Sequence, residues 1–169
     1  MRKQRVKYMS ILFILPVLLW IGIIFYFSSQ PYQEQTLIPF LSTRLSEKSV
    51  KQSLPDITIH YQTIHIRAKE EPYRFLEFLI RKSAHIFTYA TLAFLAAIAL
   101  LPYKEKWIWK VLIILLFVAL IAMLDEWNQS ASSGRMGTIL DVGVDLTGAC
   151  IGLAVGLLIT KNISHKIKF

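Results

Sequence analysis

Residues 139–160 read ILDVGVDLTGACIGLAVGLLIT, and this stretch decides the fold class. As a helix it is long enough to cross a hydrocarbon core, which takes about 20 mainly apolar residues. Asp141 and Asp145 stand four apart near its start, on one helix face. Gly148, Gly152 and Gly156 carry the same stripe onward in steps of four. Small residues at this spacing let helix backbones approach closely in lipid. The face with the two aspartates is therefore expected to be the face packed against other helices.

Three further apolar runs lie upstream: Met9 to Phe27, Ala84 to Leu101 and Trp107 to Leu124. One such run could be a buried helix of a soluble domain. Four of them in 169 residues leave no polar shell to bury them. Composition agrees, with 54% hydrophobic and 18% charged residues, where a soluble domain has about 25% charged. Pro16 in the first run is tolerable in a membrane helix, because neighbouring groups can satisfy the freed carbonyl. The basic leader Arg2, Lys3, Arg5, Lys7 resembles the start of a signal peptide. The apolar run is too long for one, however, and Ser28-Ser29-Gln30-Pro31 makes a poor cleavage site. The expected architecture is an all-α membrane protein, one domain over residues 1–169. It is a four-transmembrane-helix bundle with spans at about 9–27, 84–101, 107–124 and 139–160 and an extracytoplasmic segment, 28–83, between the first two.

Orientation follows from Lys and Arg, which stay on the cytoplasmic side in tails and short loops. The N-terminal tail has four, the turn around Lys104, Lys106 and Lys110 three, and the C-terminal tail Lys161, Lys166 and Lys168. Those ten face a single acid, Glu105, whereas the other side carries nine basic and ten acidic residues. The net charge of +8 is thus a topology signal, and no nucleic-acid partner is expected. Both termini are expected on the cytoplasmic side. Trp107 and Trp109 read as interface anchors. The single cysteine, Cys150, excludes an internal disulfide or a cysteine-rich metal site and reads as packing.

Within the outer segment, Leu37, Leu41 and Leu45 suggest a short amphipathic helix over Thr36 to Val50. Asp56 to Ile66 alternates apolar and polar residues, as a strand or small hairpin does. Pro72 suits a first helical position, from which a helix would run directly into the second span.

Ionisable residues inside or bordering a span are costly and mark candidate sites. His85 lies one turn into the second span, after Arg81 and Lys82; Lys82, His85 and Tyr89 share a helix face. Asp125, Glu126 and Gln129 end the third span, Arg135 lies in the following loop, and Asp141 and Asp145 open the fourth. All fall at one depth on the outer side, where they are expected to line a polar cavity. Each has an ordinary alternative. His85 could be an interfacial histidine, Arg81 and Lys82 could snorkel to headgroups, and Asp125 and Glu126 could form a solvated helix end. A helix N-terminus favours Asp141 and Asp145 by only about 0.3–1 kcal/mol each. A charge at a bilayer centre costs about 2.5–3.5 kcal/mol, so the deeper Asp145 needs a partner among Arg135, Arg81, Lys82 and His85.

At these residues the chain resembles the VanZ-like family of bacterial membrane proteins. The likeness rests on Arg81-Lys82-Ser83-Ala84-His85 with Tyr89, matching R-K-x-x-H-x-x-x-Y. It rests equally on Asp125-Glu126-Trp127-Asn128-Gln129, Gly134-Arg135, Asp141, Asp145 and Gly148-Ala149, and on the Phe27-Ser28-Ser29-Gln30 end of the first span. Together these cover most of the chain outside about 36–71. Thr88 stands where many members have Glu, and Asp145 where many have Asn. The resemblance implies a link to low-level resistance to the glycopeptide teicoplanin.

Two functions follow as expectations. One is an envelope protein that binds a lipoglycopeptide or a lipid-linked cell-wall precursor at Arg81, Lys82, His85, Tyr89, Asp125, Glu126, Gln129, Arg135, Asp141 and Asp145. The other is a small intramembrane hydrolase or transferase. There His85, Asp125, Glu126 or Asp145 would be the general base, and the guanidinium and ammonium groups would hold an anionic headgroup. The chain carries no HExxH, GxSxG or glycine-rich phosphate loop. His85, Asp125, Glu126 and Asp145 would suit a metal as ligand types but lack a ligand-spacing signature, so no metal or cofactor is expected. Membrane lipids are the standing partner, and a transport path would need a homodimer.

Overall fold

The computed structural model describes residues 2–103, 105–131 and 137–166, with side chains described from Leu12 to Ile159 within those ranges. It is 77% helical. In chain order the elements are α1 (Arg2–Ser28), α2 (Tyr32–Gln35), α3 (Ile38–Arg44), α4 (Glu47–Ser53), β1 (Thr58–Tyr61), β2 (Ile64–Arg67), α5 (Pro72–Ala99), α6 (Trp107–Ala131) and α7 (Ile139–Lys166). Three helices, α5, α6 and α7, are long and apolar enough to cross a membrane; a fourth span is reached if α1 is counted with the helices that follow it.

The chain divides into two compact units, Met1–Pro31 with His85–Phe169, and Tyr32–Ala84. In the first, α1, α6, α7 and the part of α5 from His85 share one core. It is built from Val17 and Ile24 of α1, Leu92 and Ala96 of α5, Ile114, Val118 and Ala122 of α6, and Val142, Ala149 and Leu153 of α7. Polar bonds tie the helices as well. Trp20 Nε1 donates to the Thr88 carbonyl at 2.9 Å, and Lys110 Nζ closes the α5–α6 turn on the Leu100 carbonyl at 2.9 Å.

On α6 the buried positions are Ile114, Val118, Ile121, Ala122, Asp125, Glu126 and Gln129, a single face at helical spacing. The opposite face exposes Leu112, Ile113, Leu116, Leu120 and Met123. Large aliphatic side chains outside with carboxylates inside is the reverse of a water-soluble helix. Lipid makes that arrangement favourable, because it solvates leucine and rejects charge.

The glycine stripe of α7 does what its spacing predicts. A Cβ on Gly148 would collide with the Ile86 carbonyl, and one on Gly152 with the Ala90 carbonyl; at Gly156 it would come within 2.9 Å of Ala97 Cβ. Helices α5 and α7 therefore meet backbone to backbone. Gly143 and Gly22 face open space. Cys150 is exposed on the α7 surface instead of packed, because the buried face of α7 is taken by the glycines and Asp145.

In the second unit, β1 and β2 form an antiparallel hairpin pairing Thr58 with Arg67 through to Tyr61 with Ile64. The two-residue turn needs a positive φ, and Gln62 supplies it at 53°. Ile66, Ala68 and Phe75 are buried together, with Leu54, Ile59 and Phe78 packed against them. Helix α5 begins at Pro72, as its sequence suggests. The single amphipathic helix expected over Thr36 to Val50 is instead two, α3 and α4. Leu45 is extended (φ −120°, ψ 132°), and so is Ser46, which starts α4 (φ −69°, ψ 126°). The break satisfies a local polar group, since Tyr73 Oη donates to the Leu45 carbonyl at 2.6 Å.

Candidate polar centre

Three helices each bring one part of a buried polar cluster. His85 and Tyr89, one turn apart on α5, face Asp145 of α7 and Asp125 of α6. The His85 imidazole donates through Nδ1 to Asp145 Oδ1 at 2.9 Å, and Tyr89 Oη donates to Asp125 Oδ2 at 2.9 Å. Gln129 Nε2 adds a second bond to Asp125 Oδ2 at 3.1 Å. Asp145 is fully enclosed and Tyr89 is 1% exposed, whereas the His85 side chain keeps 19% exposure. Histidine is thus the edge through which the cluster meets its surroundings.

Asp125 and Glu126 do not form a solvated helix end. Helix α6 continues to Ala131, beyond the apolar run, and keeps the two carboxylates and Gln129 buried. Glu126 Oε2 accepts the Thr138 backbone N–H at 2.7 Å. Thr138 in turn caps α7: its hydroxyl accepts from the Leu140 N–H at 3.0 Å, and its carbonyl accepts from the Asp141 N–H at 2.9 Å. One buried glutamate therefore anchors the start of the helix that delivers Asp145. A Cβ on Gly137 would strike the Glu126 carbonyl and the Ser130 hydroxyl, so glycine there lets the chain pass close to α6. Thr138 was legible as a threonine just before an apolar run with an acid three residues on. Its bond to Glu126 had no signal in the sequence.

Serines at the end of α1 join the same region. Asn128 Nδ2 donates to Ser28 Oγ at 3.0 Å and to Ser29 Oγ at 2.9 Å. Ser28 Oγ donates in turn to the Asp125 carbonyl at 3.3 Å.

Of the ten site residues expected from sequence, His85, Tyr89, Asp125, Glu126, Gln129, Asp141 and Asp145 lie in this unit. His85, Asp125, Glu126 and Asp145 offer ligand atoms all within 4.8 Å of one another. Asp141 is buried at the first turn of α7. Arg135 lies outside the described residues. Arg81 and Lys82 belong to the unit Tyr32–Ala84 and are engaged there. The Arg81 guanidinium stacks over Tyr32 at 4.7 Å and approaches Glu77 at 3.7 Å, and Lys82 Nζ lies 4.3 Å from the Tyr61 ring centre. That unit has a buried polar centre of its own, which sequence reading missed. Glu77, 3% exposed, accepts from Tyr32 Oη at 2.9 Å and from the Leu37 N–H at 2.8 Å. Its trace in the sequence is the i,i+4 spacing of Glu77 and Arg81 on one helix face.

Residues 13–160 match the model of the VanZ/LLP1 family. No curated protein and no solved structure matches the chain.

Proposed function

This chain belongs to the VanZ/LLP1 family, and from that premise we propose that it is a bacterial envelope protein that lowers susceptibility to teicoplanin through an outward-facing polar site. It spans the membrane four times, with both termini cytoplasmic and residues 28–83 on the outer side. Ten Lys and Arg in the tails and the α5–α6 turn support this direction. One observation carries the functional reading: His85, Asp125, Glu126 and Asp145 converge from three helices. In the orientation proposed, that cluster faces the side where glycopeptides and lipid-linked wall precursors are met. Expression in a sensitive host should raise the teicoplanin inhibitory concentration. Alanine at His85, Glu126, Arg135 and Asp145 should abolish the increase at each position. An inhibitory concentration unchanged by the intact chain would overturn the reading.

The paired His85 and Asp145 favour a second reading, an intramembrane hydrolase or transferase acting on a lipid-linked phosphate or wall precursor. A buried carboxylate that accepts from one imidazole nitrogen orients the ring and leaves the other nitrogen to take a proton. His85 would deprotonate a water or hydroxyl as its oxygen attacks the substrate phosphorus or carbonyl. The same proton would then pass to the departing oxygen. Purified protein that leaves labelled undecaprenyl-phosphate compounds and lipid II unaltered would remove this reading.

A further inference from the structure

We propose that His85, Asp125, Glu126 and Asp145 form a binding site for one divalent transition-metal ion. This goes beyond both functional readings, and binding can be measured without either activity.

Each carboxylate uses its two oxygens unequally. One oxygen is held by the protein: Asp125 Oδ2 by Tyr89 and Gln129, Glu126 Oε2 by the Thr138 N–H, Asp145 Oδ1 by His85. The other oxygen of each, Asp125 Oδ1, Glu126 Oε1 and Asp145 Oδ2, is buried without a hydrogen-bond partner among the described residues. The three side chains are 3%, 5% and 0% exposed. Buried carboxylate oxygens left unmet are costly, and here three of them occur in one cluster. Carboxylates that ligate metals are commonly held in this manner, with supporting hydrogen bonds orienting the group that meets the ion.

Dimensions fit. Two ligands on opposite sides of an ion at about 2.2 Å are about 4.4 Å apart, and one nitrogen or oxygen from each of the four residues lies within 4.8 Å of the others. Charge fits as well. Three carboxylates gathered out of water need compensation, and a divalent cation supplies more of it than the His85 imidazole alone. The donor set selects the ion class. An imidazole nitrogen disfavours Mg²⁺ and Ca²⁺, which take oxygen shells, and the absence of thiolate donors from the set disfavours soft ions. On binding, the ion would take the place of the proton that His85 Nδ1 shares with Asp145 Oδ1, and one nitrogen with three carboxylates suits Mn²⁺, Fe²⁺ or Zn²⁺. The sequence hides the site because its ligands are dispersed from position 85 to position 145, on three helices.

The full chain, purified in detergent and stripped with a chelator, is dialysed separately against Mn²⁺ and Zn²⁺, and metal per chain is measured by elemental analysis. One equivalent of at least one ion should be retained in the presence of excess Mg²⁺. Asp145→Asn, which keeps the side-chain size and the acceptor to His85, should bind at least tenfold more weakly, as loss of a ligand or of its support does. Circular dichroism confirms that the variant is helical; if it is not, Asp125→Asn is judged by the same criterion. In the unaltered chain the thermal midpoint should rise with ion concentration, because only the folded state gathers the ligands. Substoichiometric metal with both ions, or retention by the folded Asn variant equal to that of the unaltered chain, overturns the proposal.

Discussion

Replacing Tyr89 by Phe tests how far the polar centre holds the helices together. Tyr89 is 1% exposed, and its ring belongs to the main core. The substitution keeps that packing and removes only the hydroxyl that donates to Asp125 Oδ2 at 2.9 Å. Two magnitudes compete. Interhelical hydrogen bonds in membrane proteins average about 0.6 kcal/mol, because the dissociated helices also find partners. A bond to a charged group, whose loss leaves a buried acceptor poorly met, is worth about 1.5–3 kcal/mol. Among the described residues Asp125 already has one unmet oxygen, and the variant would leave Gln129 as the donor to the other. The larger value should therefore apply, roughly a 10- to 160-fold change in the unfolding equilibrium. Denaturant titration in mixed micelles, followed by helical circular dichroism, measures it. Tyr73→Phe is the control, since that hydroxyl bonds the Leu45 carbonyl at an exposed site and should cost about 0.5 kcal/mol or less. Combining Tyr89→Phe with Asp125→Asn should cost less than the sum of the two separate changes. A Tyr89→Phe variant within about 0.5 kcal/mol of the parent would refute the view that this contact is a structural tie.

Gly152→Ala should destabilise by about 1–3 kcal/mol through overpacking against the Ala90 carbonyl, read by the same titration. Gly143→Ala, which meets open space, should be neutral or stabilising by up to about 1 kcal/mol. Glu77→Ala removes the acceptor for Tyr32 and Leu37; limited proteolysis should then cut within residues 32–84 faster, while the helices of the other unit keep their protection. On a Cys150→Ser background, cysteine at Ser49 should react with an impermeant maleimide in intact cells, and cysteine at Lys168 only after lysis. Labelling in the opposite sense would invert the orientation.

The apolar helices, the hairpin, the start of α5 at Pro72 and the close approach made by Gly148 and Gly152 were all legible, because each rests on local spacing or local turn chemistry. The grouping of His85 with Asp125, Glu126 and Asp145 was legible only as a shared membrane depth. Depth brings side chains to a common level but does not say which of them touch, since helix rotation decides that. Asp125 and Glu126 were open to a reading as a helix end because hydropathy stops at Leu124, whereas hydrogen bonding and burial continue to Ala131. Glu77 and the Thr138 N–H could not be foreseen, as their partners lie far along the chain. The break at Leu45 and Ser46 went unseen for a related reason. The leucine spacing is continuous across it, and its compensation comes from Tyr73, a residue 28 positions on.

The contact between α5 and α7 sets a tolerance as well as a distance. Side chains between helices act as springs, because rotamers can yield by fractions of an ångström. Main chain against main chain, as at Gly148 with Ile86 and Gly152 with Ala90, has no such compliance. Sliding one helix past the other by a residue is a step of about 1.5 Å, half the length of the 2.9 Å bond between His85 and Asp145. The main-chain contact therefore fixes the register that sets His85 opposite Asp145, and a slip of one residue would part the pair however its side chains turned.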